Sequence, residues 1–493
     1  MNSFATIIST GKKVDDWLSP ILVKELRQGM RARVFIAAFL LLQVFLVVLV
    51  LGNLAAQDDR YTLDYQNRFF WGIIGFALLA LMPLRGLTAV SVEVKNQTME
   101  TIMLTRLTAW RVVFGKWSAL FAQSLLLVSA VLPYIVLRYF IGGDDVVSDF
   151  EWILFLLWMS GLLIAASIAV SALGNAVMRI VILVAVISMT STGLGELFNS
   201  SPTRGGPWEV LGWLLIFGLF VPALLFELTA TGIAPASENH AIRRRLLAVG
   251  FFLAAYGLYH AIASDFQAGV VVPLFVLIGI CYFDLAEKPR LLPRMIQPLA
   301  RRGIPGKIAA LFLLPGWPTA LLFSLVVIPT ATALVWEAMA PRASYPTTPS
   351  MLEYQMPLAI FSIFGSVLTP ILICHLLWPR MNQVLLMVLL YNIALMLFAS
   401  VIEGFASLMH ASLNDVLFFM PGLPVMMTNA WSNANNAALP PWFAAGNAAT
   451  LTVLLLVLFG ASFRYFRALF AQFRAADQVA SPPETREPGA TTT

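Results

Sequence analysis

The chain has little charge: 12% of its residues are Asp, Glu, Lys or Arg, whereas 59% are hydrophobic. About a quarter of the residues in a soluble globular domain are charged, so this composition excludes that class. About 20 apolar residues in a helix cross a hydrocarbon core about 30 Å thick, and the sequence contains many such runs. Because backbone groups in lipid must be paired within the segment, we predict an all-α polytopic membrane protein.

Residues that carry chemistry are also scarce. The only cysteines, Cys281 and Cys374, lie inside apolar runs, where they are typical of buried small hydrophobes. The four histidines show no ligand spacing, and none of the Gly-Lys pairs has the G-x-x-x-x-G-K-[ST] spacing that wraps phosphates. We therefore predict no catalytic residues, no metal site and no cofactor on this chain. It should not be an enzyme, and any ATP must be bound by a partner.

Hydropathy predicts about twelve spans, grouped as six plus six around a basic joint at 232–246. Their limits are 34–54, 69–91, 117–141, 151–174, 180–198, 209–231, 247–263, 268–285, 308–336, 357–378, 384–402 and 443–463. A faint repeat relates GKWSALF at 115–121 to GKIAALF at 306–312, and each run then reaches a proline. The first unit is predicted over 34–231, the second over 247–463, and a disordered cytoplasmic tail over 464–493.

The basic residues set the orientation. Of the 31 Lys and Arg residues, 26 lie in one set of loops, together with both termini. The positive-inside rule then places both termini in the cytoplasm of a multi-pass inner-membrane protein. The net charge of +5 follows from this distribution, so it does not indicate nucleic acid as a partner.

The segment 17–33 before the first span is amphipathic. Ser19 can cap a helix and Pro20 suits its first turn. The apolar residues recur at helical spacing: Trp17, Ile21, Leu22, Leu26 and Met30. The basic residues lie largely apart from them: Lys24, Arg27, Arg31 and Arg33. This pattern predicts an interfacial helix with its apolar side in lipid and its basic side at the headgroups; a plain topology anchor is the alternative.

A second amphipathic segment, 91–117, joins the second and third spans. Asn96 or Thr98 can cap a short helix, and Glu100 sits favourably in its first turn. One apolar face consists of Met99, Ile102, Met103 and Leu107. Such a face can dock in a groove of a soluble partner, or it can rest on lipid as an interfacial helix.

With these two segments, the chain resembles an ABC-2 type transporter permease over about its first 140 residues. The first motif consists of Pro20, Lys24, Glu25, Arg27 and Arg31, and the second of Glu93, Thr98, Glu100, Leu104, Thr105, Trp110, Gly115 and Lys116. The resemblance implies that 17–33 is a connecting helix and that 92–116 contains a coupling helix that docks on a separate ABC ATPase. The implied ATPase contacts are Glu93, Thr98, Met99, Glu100, Ile102, Met103, Leu104, Thr105 and Leu107. The residues that mark the interfacial connecting helix are Trp17, Ile21, Lys24, Glu25, Arg27 and Arg31.

The resemblance leaves several alternatives open. Common members of the family have a single six-span unit, so the second half is either a degenerate partner half or an accessory extension, and a second permease chain can complete the path. A secondary transporter and a non-transporting scaffold are the other functional classes; the substrate is unknown. Residues 403–442 suit either a re-entrant gate or a packed lid. We expect Asp284 and Arg138, at span edges, to snorkel, and His260, His375, Asn175 and Asn392 to bond helices together.

Overall fold

Helices make up the regular structure, and no β-strand occurs among the residues that the computed structural model describes. Those residues are 20–55, 60–96, 108–141, 146–172, 206–235, 238–262, 268–289, 291–339, 368–371, 373–377, 384, 386–388, 390–394, 397 and 441–480. The chain divides into two compact units, 1–235 and 236–493, with the division inside the predicted joint.

The described helices are named here in chain order. Unit 1 contains α1 (Pro20–Met30), α2 (Arg33–Ala55), α3 (Arg60–Phe76), a π-helical turn (Ala77–Leu81), α4 (Met82–Ala89), α5 (Ser91–Lys95), α6 (Ala109–Ile141), α7 (Val146–Ser171) and α8 (Gly206–Ile233). Unit 2 contains α9 (Ala241–Ile262), α10 (Ala268–Leu285), α11 (Pro293–Ala300), α12 (Gly303–Leu313), α13 (Trp317–Met339), a π-helical turn (Ile373–Leu377) and α14 (Pro441–Ala480).

Eight helical stretches in the described part of the chain are long and apolar enough to cross a membrane. They are Arg33–Gly52, Arg68–Lys95, Ala109–Phe140, Val146–Ser171, Glu209–Ile233, Ala241–Ile262, Trp317–Ala338 and Leu451–Ala475. Large apolar side chains point outward along them, as in α2, where Leu40, Leu41 and Val44 are more than half exposed. Such an apolar surface is favourable in contact with lipid and unfavourable in contact with water. The all-helical, polytopic class is therefore confirmed.

The count of twelve spans stays a prediction. Predicted span 180–198, most of 357–378 and about half of 384–402 lie outside the described residues, as does the segment 403–440. The eighth predicted span corresponds to α10, whose apolar part, Gly269–Leu285, is shorter than the eight stretches above.

Small residues allow α7 to pack at the centre of unit 1. From Met159 to Ser171 every side chain of α7 is buried. Ser160 lies 3.1 Å from Ser124 of α6 between their hydroxyl oxygens, and a side chain at Gly161 would meet the ring of Phe121. Helices in lipid associate through such close contacts, because apolar burial alone does not favour protein over lipid. α7 therefore holds α4, α6 and α8 in register.

The ninth predicted span, 308–336, is wrong at its start. Helix α12 ends at Leu313, the backbone is extended at Leu314, and a new helix begins at Trp317. Gly316 has φ 120°, and a Cβ there would lie 2.6 Å from the Cα of Pro289, so only glycine fits the turn. The Trp317 N–H donates to the Glu287 carbonyl at 3.0 Å. The hydropathy prediction merged α12 and α13 into one span because both helices are apolar.

The predicted disordered tail, 464–493, is wrong over residues 464–480, and residues 481–493 lie outside the described residues. Helix α14 continues to Ala480, and Leu469 and Phe473 are buried against Met295, Ile296 and Ala310 of α11 and α12. The three arginines and the aspartate of residues 464–480 suggested a tail, but Leu469 and Phe473 lie four residues apart on one helical face. Packing of that face stabilises the helix beyond the membrane.

Candidate functional site

Lys116 joins three elements of unit 1. It lies on α6, its side chain is 4% exposed, and its Nζ lies 2.9 Å from Glu25 Oε1 of α1 and 2.8 Å from Glu93 Oε1 of α5. The two motifs that carry the resemblance contain all three residues, but no local pattern in the sequence pairs them. The structure therefore links α1, α5 and α6 through one ammonium group.

Helix α1 also packs directly on α6. A side chain at Gly115 would meet Ile21 Cγ2 at 2.9 Å, so α1 lies against the α6 backbone at this point. At the other end of α1, the Arg85 guanidinium donates to the Gly29 carbonyl at 3.2 Å and to the Gln123 side chain. Helix α1 is therefore held in place by contacts with α4 and α6 of the same unit.

This packing revises one expectation for α1. Its apolar stripe was predicted to face lipid, but Ile21 packs into the core of unit 1. Lys24, Arg27 and Arg31 are exposed, as expected for a basic outer face. The glycine at 115 explains the difference, because it opens a place on α6 for an apolar side chain. Trp17 lies outside the described residues.

An aromatic cluster fixes the chain after the coupling segment. The rings of Trp117 and Phe121 stack at 5.0 Å, and Phe226 of α8 meets Trp110 at 5.6 Å and Trp117 at 5.5 Å, edge to face. The Trp117 indole N–H donates to the Gly161 carbonyl of α7 at 2.9 Å. Offset and edge-to-face contacts favour one arrangement of the rings. The start of α6 is thereby held to α7 and α8.

The chain before the coupling segment is fixed as well. The Val90 N–H donates to the Ser171 hydroxyl of α7 at 3.2 Å. Asn96 ends α5, and its N–H donates to the Val92 carbonyl at 3.0 Å. The helix that Asn96 or Thr98 was predicted to cap lies outside the described residues. The remaining predicted ATPase contacts lie outside the described residues: Thr98, Met99, Glu100, Ile102, Met103, Leu104, Thr105 and Leu107. The described chain on both sides of residues 97–107 is thus firmly packed.

Unit 2 contains an ionic cluster that sequence reasoning missed. Asp284 of α10 is fully buried; its Oδ1 accepts from Arg244 Nε at 2.6 Å and its Oδ2 from Arg245 Nε at 2.6 Å. Glu287 accepts from Arg244 Nη2 at 3.0 Å, and the Arg245 guanidinium donates to the Phe312 carbonyl. The expected snorkelling of Asp284 is therefore wrong. Arg244 and Arg245, assigned to a basic joint, lie inside α9, whereas Arg243 is exposed.

Opposite charges at neighbouring span ends were the available signal for this cluster. Arg244 and Arg245 precede an apolar run by a few residues, and Asp284 and Glu287 end the next one. Two antiparallel spans joined by a short loop bring such ends together. A buried charge needs a partner, which favours the pair over snorkelling.

Four other polar residues singled out in the sequence have partners in the described part of the chain. Arg138 is 6% exposed, lies 3.5 Å from Asp149 and stacks over Phe70, so its expected snorkelling is also wrong. His375 Nε2 lies 3.2 Å from the Leu285 carbonyl and its ring stacks on Trp317, which confirms a helix-bonding role. Asn392 donates to the Val388 carbonyl one turn earlier, and His260 lies 3.5 Å from Glu337. Asn175 lies outside the described residues.

No protein-family model, no curated protein and no solved structure matches this chain.

Proposed function

We propose that this chain is the membrane-spanning permease subunit of an ATP-driven ABC transporter of the ABC-2 type, working as an exporter. The separate ABC ATPase would dock on the segment 92–116. The observation that carries the proposal is the Lys116 bridge, because it connects both family motifs to the third span.

The geometry supports a mechanical role for this bridge. A soluble domain that closes on ATP would displace segment 97–107, which is continuous with α5 on one side and α6 on the other. Glu93 and Lys116 lie on those two helices, and Glu25 ties α1 to both. Because the three elements are joined by ionic bonds and close packing, a push on the segment moves them as one body. The spans would then exchange between inward and outward openings.

The proposal includes a topology of twelve spans with both termini in the cytoplasm of the inner membrane. The distribution of Lys and Arg supports it, and it places α1 and the coupling segment where a soluble ATPase can reach them. A second permease chain would pair with unit 1 if unit 2 is an accessory extension.

A site-specific crosslink tests the partner. A photoreactive residue at position 103, on the predicted docking face, should crosslink in native membranes to a protein with a P-loop, and ATP should change the yield. The matched control is position 143, in a loop predicted to lie outside, which should give no such product. Crosslinks from 103 to lipid alone, or to proteins that bind no nucleotide, would reject the proposal in favour of a scaffold.

The dependence of transport on ATP and on the predicted docking helix tests the proposed coupling. Transport activity or partner ATPase stimulation should be lost in Glu100→Lys and Leu104→Asp, which disrupt the predicted helix face. The control Thr101→Ser alters a residue away from that face and should keep activity. Substrate movement that survives loss of ATP but not of an ion gradient would instead select a secondary transporter.

Cysteine labelling tests the topology. The two natural cysteines are buried, so an introduced cysteine reports its own position. A cysteine at 143 should react with a membrane-impermeant reagent in intact cells, and one at 237 should react only after the membrane is opened. The reverse result would invert the proposed orientation.

A further inference from the structure

The helical segment 464–475, where a disordered tail was predicted, contributes to a surface that the sequence did not predict. Helices α11 and α12 and residues 464–475 of α14 pack around a small core that includes Met295, Leu314, Leu469 and Phe473. The Gln472 side chain donates to the Leu291 carbonyl at 3.5 Å, which ties α14 to the chain before α11. We call this three-helix assembly the basic platform.

The outer side of the basic platform carries one sign of charge. Exposed arginine side chains lie on α11, on the turn between α11 and α12, and on α14: Arg294, Arg301, Arg302, Arg464, Arg467 and Arg474. No Asp or Glu occurs in 291–313 or in 441–475, and Asp477 is the one carboxylate of α14. The surface therefore attracts anions, because residues 291–313 and 464–475 contribute positive charge alone.

Apolar side chains lie among these charges. Ile304 is 74% exposed and Ile308 is 52% exposed, and their spacing of four residues puts them on one face of α12. Arg301 and Arg302 directly precede that face. A helix with exposed branched apolar residues beside arginines is typical of a helix that lies at a bilayer surface, with its apolar side among the acyl chains.

The platform is continuous with membrane helices. Helix α14 is 40 residues long, about 60 Å at 1.5 Å per residue, so it extends well beyond a hydrocarbon core of about 30 Å. Its span predicted from the sequence ends at 463, although the apolar stretch of the helix continues to Ala475. Because no Lys or Arg occurs in 441–463, we place the end of the hydrocarbon core at 463, and Arg464 and Arg467 lie within the first turn after it. Helix α12 leads within three residues into α13, another membrane-length helix. The platform thus begins at the depth of the lipid headgroups.

We propose that the basic platform binds anionic phospholipid of the surrounding bilayer, with Arg301, Arg302, Arg464 and Arg467 at the headgroup phosphates and Ile304 and Ile308 inserted among the acyl chains. The combination of exposed arginine and exposed isoleucine favours lipid over an acidic protein surface. The proposal does not depend on the transport function.

Environment-sensitive labelling tests the insertion. A bimane-labelled cysteine at position 304 should shift to a shorter emission wavelength in vesicles of equimolar phosphatidylcholine and phosphatidylglycerol, and bromine-labelled acyl chains should quench it. The matched control is position 297, an exposed glutamine on α11, which should stay in water. A label at 304 that stays accessible to iodide, or that crosslinks to a protein in native membranes, would overturn the proposal.

Retention of phosphatidylglycerol tests the proposed role of the platform arginines. The double variant Arg301→Gln/Arg302→Gln should lose phosphatidylglycerol affinity about fivefold per arginine, the attraction of one basic side chain to an anionic surface. Arg243→Gln removes an exposed arginine of unit 2 outside the platform and should leave that affinity unchanged. Both variants are measured by native mass spectrometry of the purified full chain. Equal losses in the two variants, or equal retention of phosphatidylcholine and phosphatidylglycerol by the native protein, would show that no such site exists.

Discussion

In the described part of each unit, a cluster of three or more charged side chains joins the ends of neighbouring helices. In unit 1, one ammonium group, Lys116, is shared by two carboxylates that are 24% and 16% exposed. In unit 2, one carboxylate, Asp284, is shared by two guanidinium groups, and all three side chains are fully buried. The central charge is buried in both clusters, but only in unit 1 do its partners reach the surface.

This difference indicates different roles for the two clusters. The carboxylates around Lys116 are partly hydrated, so losing one of its two bonds costs little. Around Asp284 the arginines are fully buried: without this carboxylate Arg244 keeps Glu287, whereas Arg245 is left with the neutral Phe312 carbonyl. We therefore expect the cluster of unit 2 to contribute more to stability and that of unit 1 more to the proposed coupling.

The largest expected effect is at Asp284. Asp284→Asn should destabilise the protein by about 3 kcal/mol, because it leaves two buried arginines short of a counter-charge. The free energy is measured by unfolding of the purified protein in SDS and mild detergent. Glu238→Gln, at an exposed carboxylate of the same unit, is the control.

A combined variant sharpens this prediction. Asp284→Leu with Arg244→Met and Arg245→Met removes the central charges together, and should be less destabilising than Asp284→Asn alone. If the triple variant is the less stable of the two, packing rather than charge compensation holds these helices together.

At Lys116 we expect a smaller effect on stability and a larger one on activity. Lys116→Met should cost about 2 kcal/mol, because its carboxylates lose a charged hydrogen-bond donor but keep access to water. Stimulation of the partner ATPase should disappear. Lys116→Arg should retain part of both properties, and Lys24→Met, at an exposed lysine of α1, should change neither. Full ATPase stimulation in Lys116→Met would separate the bridge from coupling.

The two Gly-Lys pairs of the faint repeat offer a further comparison. A Cβ at Gly306 would collide with the Leu299 backbone carbonyl, whereas one at Gly115 would meet the Ile21 side chain at 2.9 Å. Gly306→Ala should therefore cost about 2 kcal/mol and Gly115→Ala about 1 kcal/mol, as usual for overpacking. Gly72→Ala, with open space around it, should be neutral or stabilising, because alanine favours a helix. Thermal unfolding midpoints compare the three variants.

The smallest effects are expected at Glu25 and Glu93. Each glutamine variant should cost about 0.5–1 kcal/mol, since Lys116 keeps its other partner and both carboxylates are partly hydrated. The double variant should lose more than the sum of the two, because Lys116 is then buried without a counter-charge. A double-mutant cycle on unfolding free energy measures this coupling. Strict additivity would mean that the two carboxylates do not share one cation.

The sequence predicted some parts of the site and missed others for identifiable reasons. The motifs contain Glu25, Glu93 and Lys116 as candidate site residues. Because 91 residues separate Glu25 from Lys116, no local pattern pairs them. The contact between Ile21 and Gly115 was missed because amphipathicity shows which face of a helix is apolar and not what covers it. The same limit hid the packing of Leu469 and Phe473 under α11.

Composition and hydropathy alone determined that this is an all-helical membrane protein, because lipid requires about 20 apolar residues with paired backbone in every span. They also located most of the membrane helices that the structure describes. Tertiary structure decided what composition cannot express: which charges meet, where an apolar run breaks at Gly316, and which helix covers which face. The physical reason is that hydrophobicity sums over a segment, whereas a buried ion pair or a glycine contact depends on the positions of individual atoms far apart in sequence.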